Sequence, residues 1–179
     1  MSYVVAHLLS LSKGGIRLDE TRQLVRAHIH LVLKATLSPA GYDKAVGCML
    51  TNHFLGELVG GLGVLNKDSY NFRLFVPAAT RRPSLKAPWG YSFFGHHLCL
   101  AVCFVGRRMV IGPTFMGAEP DQIDEGPHRG LRLFETEENL ALALMQGLDR
   151  DNQIAAQISE HMTSLEGLPD DRWNPFDER

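Results

Sequence analysis

From Tyr91 to Ile111 the chain carries two apolar runs, Tyr91–Val105 and Met109–Ile111, joined only by Gly106, Arg107 and Arg108. No other stretch restricts the fold so tightly. Apolar residues recur in both runs with the spacing of strands, and Gly106 suits the tight connection of a hairpin. Upstream, "SYNFRLFV" places Tyr70, Phe72, Leu74 and Val76 on one face and reads as a further strand.

Before that strand the period is helical. Leu24, Ala27, His28, Leu31 and Ala35 recur at helical spacing, with Asp19 as the expected cap and Glu20 placed for the helix dipole. "SPAG" ends this helix, because Pro39 disfavours helix at Ser38. A second helix is expected over residues 40–59, carrying Ala45, Met49, Leu55 and Leu58, and "GGLG" terminates it. The two read as an antiparallel hairpin.

Downstream, "GPTFMGAEP" reads as loop and "GLRLF" as a short strand. Thr136 is the expected cap of a helix with Leu140, Leu144 and Leu148, and a shorter helix carries Ile154, Ile158 and Met162. Helices, then strands, then helices point to an α+β fold: an N-terminal helical hairpin, a small antiparallel sheet with a central hairpin, and C-terminal helices. The expectation is a single domain over residues 1–179, with residues 1–15 an atypical leader and residues 168–179 an irregular tail in which Trp173 and Phe176 look stranded.

Composition narrows the function classes. A 179-residue chain with 45% hydrophobic and 21% charged residues can build its own core. Its net charge is −2 and basic residues come only in pairs such as Arg81-Arg82, so no nucleic-acid partner is expected. No apolar stretch reaches the ~20 residues of a membrane span, so a cytoplasmic protein without membrane contact is expected. Cys48, Cys99 and Cys103 lack CxxC spacing and are expected as buried free thiols.

His96 and His97 are the candidate chemistry. If Tyr91–Val105 is one continuous strand, they point to opposite faces. His96 then joins Phe94, Leu98, Leu100, Val102 and Phe104 on a large apolar face, and His97 joins the small face of Cys99, Ala101 and Cys103. A bulge at Gly95 would let both reach one metal. Two readings stand side by side: histidines hydrogen-bonded within the fold, and ligands or proton carriers. The loop from Gly117 to His128 offers Glu119, Asp121, Asp124, Glu125 and His128 as partners, or is simply a solvated acidic loop. Trp89 is expected at the strand start, and Phe115 and Met116 under the loop or lining a pocket. HExxH, GxSxG, P-loop and GxGxxG patterns do not occur.

The blocks "LSPAGYDKAVGCMLTNHFLGEL", "SYNFRLF", "PWGYSFFGHHLCL", "PTFMGAEPDQIDEGPHRG" and "LALALMQGL", in that order, resemble the domain of unknown function family catalogued as 3500, in wording similar to its fungal branch. The resemblance runs from about Ile16 to the last residue. It implies a longer family domain, of which this chain would be the N-terminal portion, with further His, Asn and Arg-rich blocks in the later half. Relatives often carry Asn where this chain has Ala101.

Two functions are therefore weighed. One is a metal-dependent, enzyme-type domain acting on a small organic molecule through the Gly-His-His segment, with His96, His97, Glu119 and His128 as ligands to zinc or iron, His96, His97 and Glu119 as catalytic groups, and Trp89, Phe115 and Met116 at the substrate. The other is a non-catalytic binding module, or an inactive fragment needing a partner, that self-associates through uncovered apolar surface.

Overall fold

Among the described residues, five strands pair in sequence order into one antiparallel sheet: β1 (Ile16–Arg17), β2 (Asn71–Phe75), β3 (Trp89–Gly95), β4 (Leu98–Val105) and β5 (Arg108–Met116). The computed structural model describes residues 15–157. The leader up to residue 14, Ile158, Met162 and the tail with Trp173 and Phe176 lie outside the described residues. The chain divides into two compact units, Met1–Phe134 and Glu135–Arg179.

In the first unit, helices α1 (Gln23–Thr36) and α2 (Pro39–Leu58) precede the main strands. Leu37 and Ser38 separate them, and Ser38 caps α2, its Oγ accepting the Gly41 N–H at 3.1 Å, with Pro39 in the first turn where its missing N–H is harmless. Asp19 does not cap α1. It lies in a 3-10 turn, Leu18–Glu20, and binds the Arg17 guanidinium at 2.8 Å; α1 starts at Gln23 without a side-chain cap.

The core lies between these helices and one sheet face. Leu33, Ala45, Cys48 and Met49 meet Tyr70, Tyr91, Phe93, Leu98, Leu100 and Val102 in one buried cluster. Aromatic pairs cross the strands: Tyr70 stacks on Phe93 with centroids 5.6 Å apart, and Phe72 on Tyr91 at 5.2 Å.

Gly106 and Arg107 form the expected tight connection: Val105 pairs with Arg108, and Gly106 takes φ +60°. β5 is longer than expected. It runs through Gly112 and Pro113 to Met116, because a register shift opposite Leu100–Val102 absorbs the proline that would otherwise interrupt the ladder. Among the described residues β5 is also an edge strand, where a missing N–H is tolerated. "GLRLF" forms no strand; a single bridge joins Arg132 to Gln122. Of the cysteines only Cys48 is buried. Cys103 is exposed, because it sits on the sheet face away from the helices.

The second unit holds α3 (Glu135–Gly147) and α4 (Arg150–Ala156). Thr136 lies inside the first turn of α3 rather than capping it. Asp149 caps α4 by accepting the Asn152 N–H at 2.9 Å.

Candidate metal centre

β3 and β4 are not one strand. Their pairing runs from Trp89↔Phe104 to Gly95↔Leu98, which leaves His96 and His97 as the two loop residues of a hairpin. The chain reverses there, so the alternation expected through Tyr91–Val105 breaks. Phe94 consequently falls with Gly90 and Ser92 on the face away from Tyr91 and Phe93. The two histidines also leave opposite faces and stand together, with ring centroids 3.9 Å apart at 62°.

The turn is held on both sides. Tyr70 Oη donates to the His96 carbonyl at 2.9 Å, and the Gly117 N–H donates to the His97 carbonyl at 2.8 Å. His97 takes φ +57°, a left-handed conformation uncommon for any residue with a Cβ. The close approach of Gly117 depends on its lack of a side chain: a Cβ there would lie 2.9 Å from His97 Nδ1.

Glu119, just beyond β5, folds back over the turn. His97 Nε2–H donates to Glu119 Oε2 at 2.9 Å, and His96 Nε2 lies 3.8 Å from the same oxygen. On its other side His96 Nδ1 lies 3.0 Å from Asn52 Oδ1 on α2. One ligand atom from each of His96, His97 and Glu119 falls within 4.8 Å of the others. Ligands at about 2.0–2.1 Å from a tetrahedral metal stand about 3.3 Å apart, and the two Nε2–Oε2 distances bracket that spacing. Side-chain exposures of 6% for His96, 25% for His97 and 60% for Glu119 grade the site from a buried wall to an open mouth.

Burial pushes the His96 ring down to about 4, with the neighbouring His97 adding to the effect and Glu119 opposing it. At neutral pH His96 therefore keeps a free ring nitrogen, as a ligand must. The hydrogen bond from His97 holds the Glu119 carboxyl below its ordinary value, so it stays ionised. Beneath the turn, burial raises the Cys48 thiol to about 11 and also raises Tyr70. Neither is a ready nucleophile.

The remaining sequence candidates lie around or away from this centre. Phe115 is 6.4 Å from the His97 ring, centroid to centroid. Met116 pairs with Leu98 next to the turn and packs on the core. Trp89 stacks on Phe104 at the opposite end of β3, about 20 Å away at the rise of an extended strand. There it borders a groove of about 590 Å³ that Phe75, Ala101 and Cys103 also line. His128 lines a separate cavity with His53, Glu57 and Glu125. Ala101 sits opposite Ser92 on the outer face, away from the histidine cluster.

Sequence reasoning missed Asn52, Tyr70 and Gly117. Only Asn52 left a signal: it stands one helical step beyond Cys48 and Met49, a polar residue inside an apolar stripe, and it is 2% exposed.

Comparison with curated proteins and with solved structures finds no match. A family model does match, over residues 2–177, and the chain accordingly belongs to the family described as Protein of unknown function (DUF3500).

Proposed function

We propose that His96, His97 and Glu119 hold a zinc or iron ion, and that the chain is a metal-dependent, enzyme-type domain acting on a small organic molecule at the open side of that ion. The observation that carries the reading is the convergence of three ligand-type atoms within 4.8 Å on an otherwise apolar hairpin. Two imidazoles and a carboxylate leave further coordination positions for water or substrate, as catalytic zinc and non-haem iron sites require. Zinc held there would supply hydrolytic chemistry and iron oxygen-dependent chemistry. The left-handed backbone of His97 supports a functional origin, since strain of this kind gathers at working sites.

The test is elemental analysis of purified protein, wild type beside His96→Ala, His97→Ala and Glu119→Ala. Near-stoichiometric zinc or iron in the wild type, lost in the folded variants, supports the reading. Wild-type protein that stays metal-free after loading with either ion removes it.

A second reading rests on β5. Met109, Val110 and Phe115 on this edge strand are 43%, 64% and 48% exposed. An apolar edge of this kind is a template for pairing with another chain, so a binding module that self-associates through β5 is the alternative function. Sedimentation of the wild type against Val110→Lys decides it: a wild-type dimer that the lysine dissociates supports it, and a wild-type monomer rejects it.

A further inference from the structure

We infer that Asn52 is the positioning residue of this centre: it fixes His96 as the Nδ1–H tautomer and presents the Nε2 lone pair to the gap beside Glu119. The argument begins with the Asn52 amide. Its Nδ2 donates to the Asn66 carbonyl at 2.8 Å and to Ser69 Oγ at 3.1 Å. A carbonyl can only accept. Ser69 Oγ spends its own proton on the same Asn66 carbonyl at 2.7 Å, so it too offers Asn52 a lone pair. Exchanging the oxygen and nitrogen of the amide would set two acceptor oxygens 2.8 Å apart. The orientation is therefore determined, and Oδ1 is the atom that meets His96.

An amide oxygen has no proton to give. The 3.0 Å contact with His96 is a hydrogen bond only if Nδ1 carries the proton. A neutral imidazole has one such proton, so Nε2 is left with its lone pair. That lone pair faces Glu119 Oε2 at 3.8 Å, beyond hydrogen-bond range. Two electron-rich atoms face each other across a gap that a cation would fill. The chain of control runs from the 66–69 turn through Asn52 to His96. The turn is itself closed by the Asn66 N–H donating to Ser69 Oγ at 3.0 Å. Partners of this kind, one bond behind a ligand, fix its tautomer and ring orientation.

The consequence for metal affinity rests on the metal-site reading above; the tautomer does not. The experiment reads them separately. Metal-free, ¹⁵N-labelled protein near neutral pH is examined by long-range ¹H–¹⁵N correlation of the imidazole nitrogens, with His96 assigned by its loss in His96→Gln. The expected signature is a protonated Nδ1 and an unprotonated Nε2. Asn52→Ala removes the acceptor that holds the proton on Nδ1, and the Nδ1–H signature is lost. In a zinc titration, Asn52→Ala weakens binding by about 10–100-fold. An Nε2–H ring in the wild type overturns the inference without any variant being needed. So does an Nδ1–H signature that persists in folded Asn52→Ala. A wild type with the expected tautomer but no affinity for zinc or iron defeats the metal reading and leaves the role of Asn52 intact.

Discussion

Acidification of the metal-free protein destabilises it through His96, and the amount follows from the structure. The folded ring sits at about 4 against an ordinary 6.5. Between those values the unfolded chain binds the proton and the folded chain does not. Stability is therefore full above the unfolded value, falls as the pH drops through the window, and levels off below the folded value. The whole window is worth about 3.4 kcal/mol at about 1.36 kcal/mol per pH unit. About 2 kcal/mol of this falls between about pH 7.5 and about pH 5. Stopping at pH 5 keeps the measurement above the ordinary midpoint of 4.5 for a carboxyl such as Glu119. The assay is urea unfolding of wild type and His96→Gln in chelator, at both pH values. His30, which burial also lowers, is common to both proteins and cancels. The wild type is expected to lose about 2 kcal/mol more than the variant. Parallel losses in the two proteins would mean that His96 titrates alike folded and unfolded, and the buried, neutral ring would be wrong.

Three further outcomes are expected. His97→Gly relieves a left-handed backbone that costs a residue with a Cβ about 1–2 kcal/mol, while the bond it loses reaches a 60%-exposed carboxylate and contributes little. Chemical denaturation should show equal or higher stability together with loss of metal binding; a drop of about 2 kcal/mol or more would make His97 a structural residue. Gly117→Ala places a methyl 2.9 Å from His97 Nδ1 and swings the ring from Glu119. Zinc affinity should fall at least about tenfold, and unchanged affinity would show that the ring yields freely. Zinc at about one hundred times its Kd should stabilise the wild type by about 2.7 kcal/mol, reversibly with chelator; no shift in the melting curve would contradict specific binding to the folded state.

Most of the fold was legible because period is a local property. The helices, the strand around Phe72 and the Gly106 hairpin each announce themselves within a dozen residues. The hairpin at His96-His97 was legible too, in a phase change. Core positions are odd in β3 (Tyr91, Phe93) and even in β4 (Leu98, Leu100, Val102), and a two-residue loop produces that switch. Phe94 masked it. It is large, 7% exposed and on the even phase, and Arg73 lies over its ring at 5.4 Å on the face away from the helices. One aromatic shielded by a cation on the outer face was enough to make two strands read as one. The length of β5 was hidden for another reason. Whether a Pro can lie in a strand depends on that strand being at an edge and on a register shift in its neighbour, and neither is a property of the segment itself.

The site was legible in its residues but not in its geometry, and the reason lies in what a turn does. Alternation assigns neighbours to opposite faces only while the chain runs straight. At a two-residue reversal, consecutive side chains can converge, and that is how adjacent histidines come to face one carboxylate. The carboxylate is supplied from 22 residues downstream, and Asn52 from 44 residues upstream. Their meeting depends on β5 pairing with β4 and on α2 packing beneath the turn, so both are consequences of the completed fold. The arrangement also explains why the turn carries histidine at a position where glycine or asparagine would be easier for the backbone. If the loop served only to join two strands, the less strained residue would be stable and sufficient. On the metal-site reading proposed above, a histidine in a left-handed conformation, hydrogen-bonded to a carboxylate beside a second, buried and neutral histidine, gives up stability at one residue for a ligand direction that an unstrained turn would not provide.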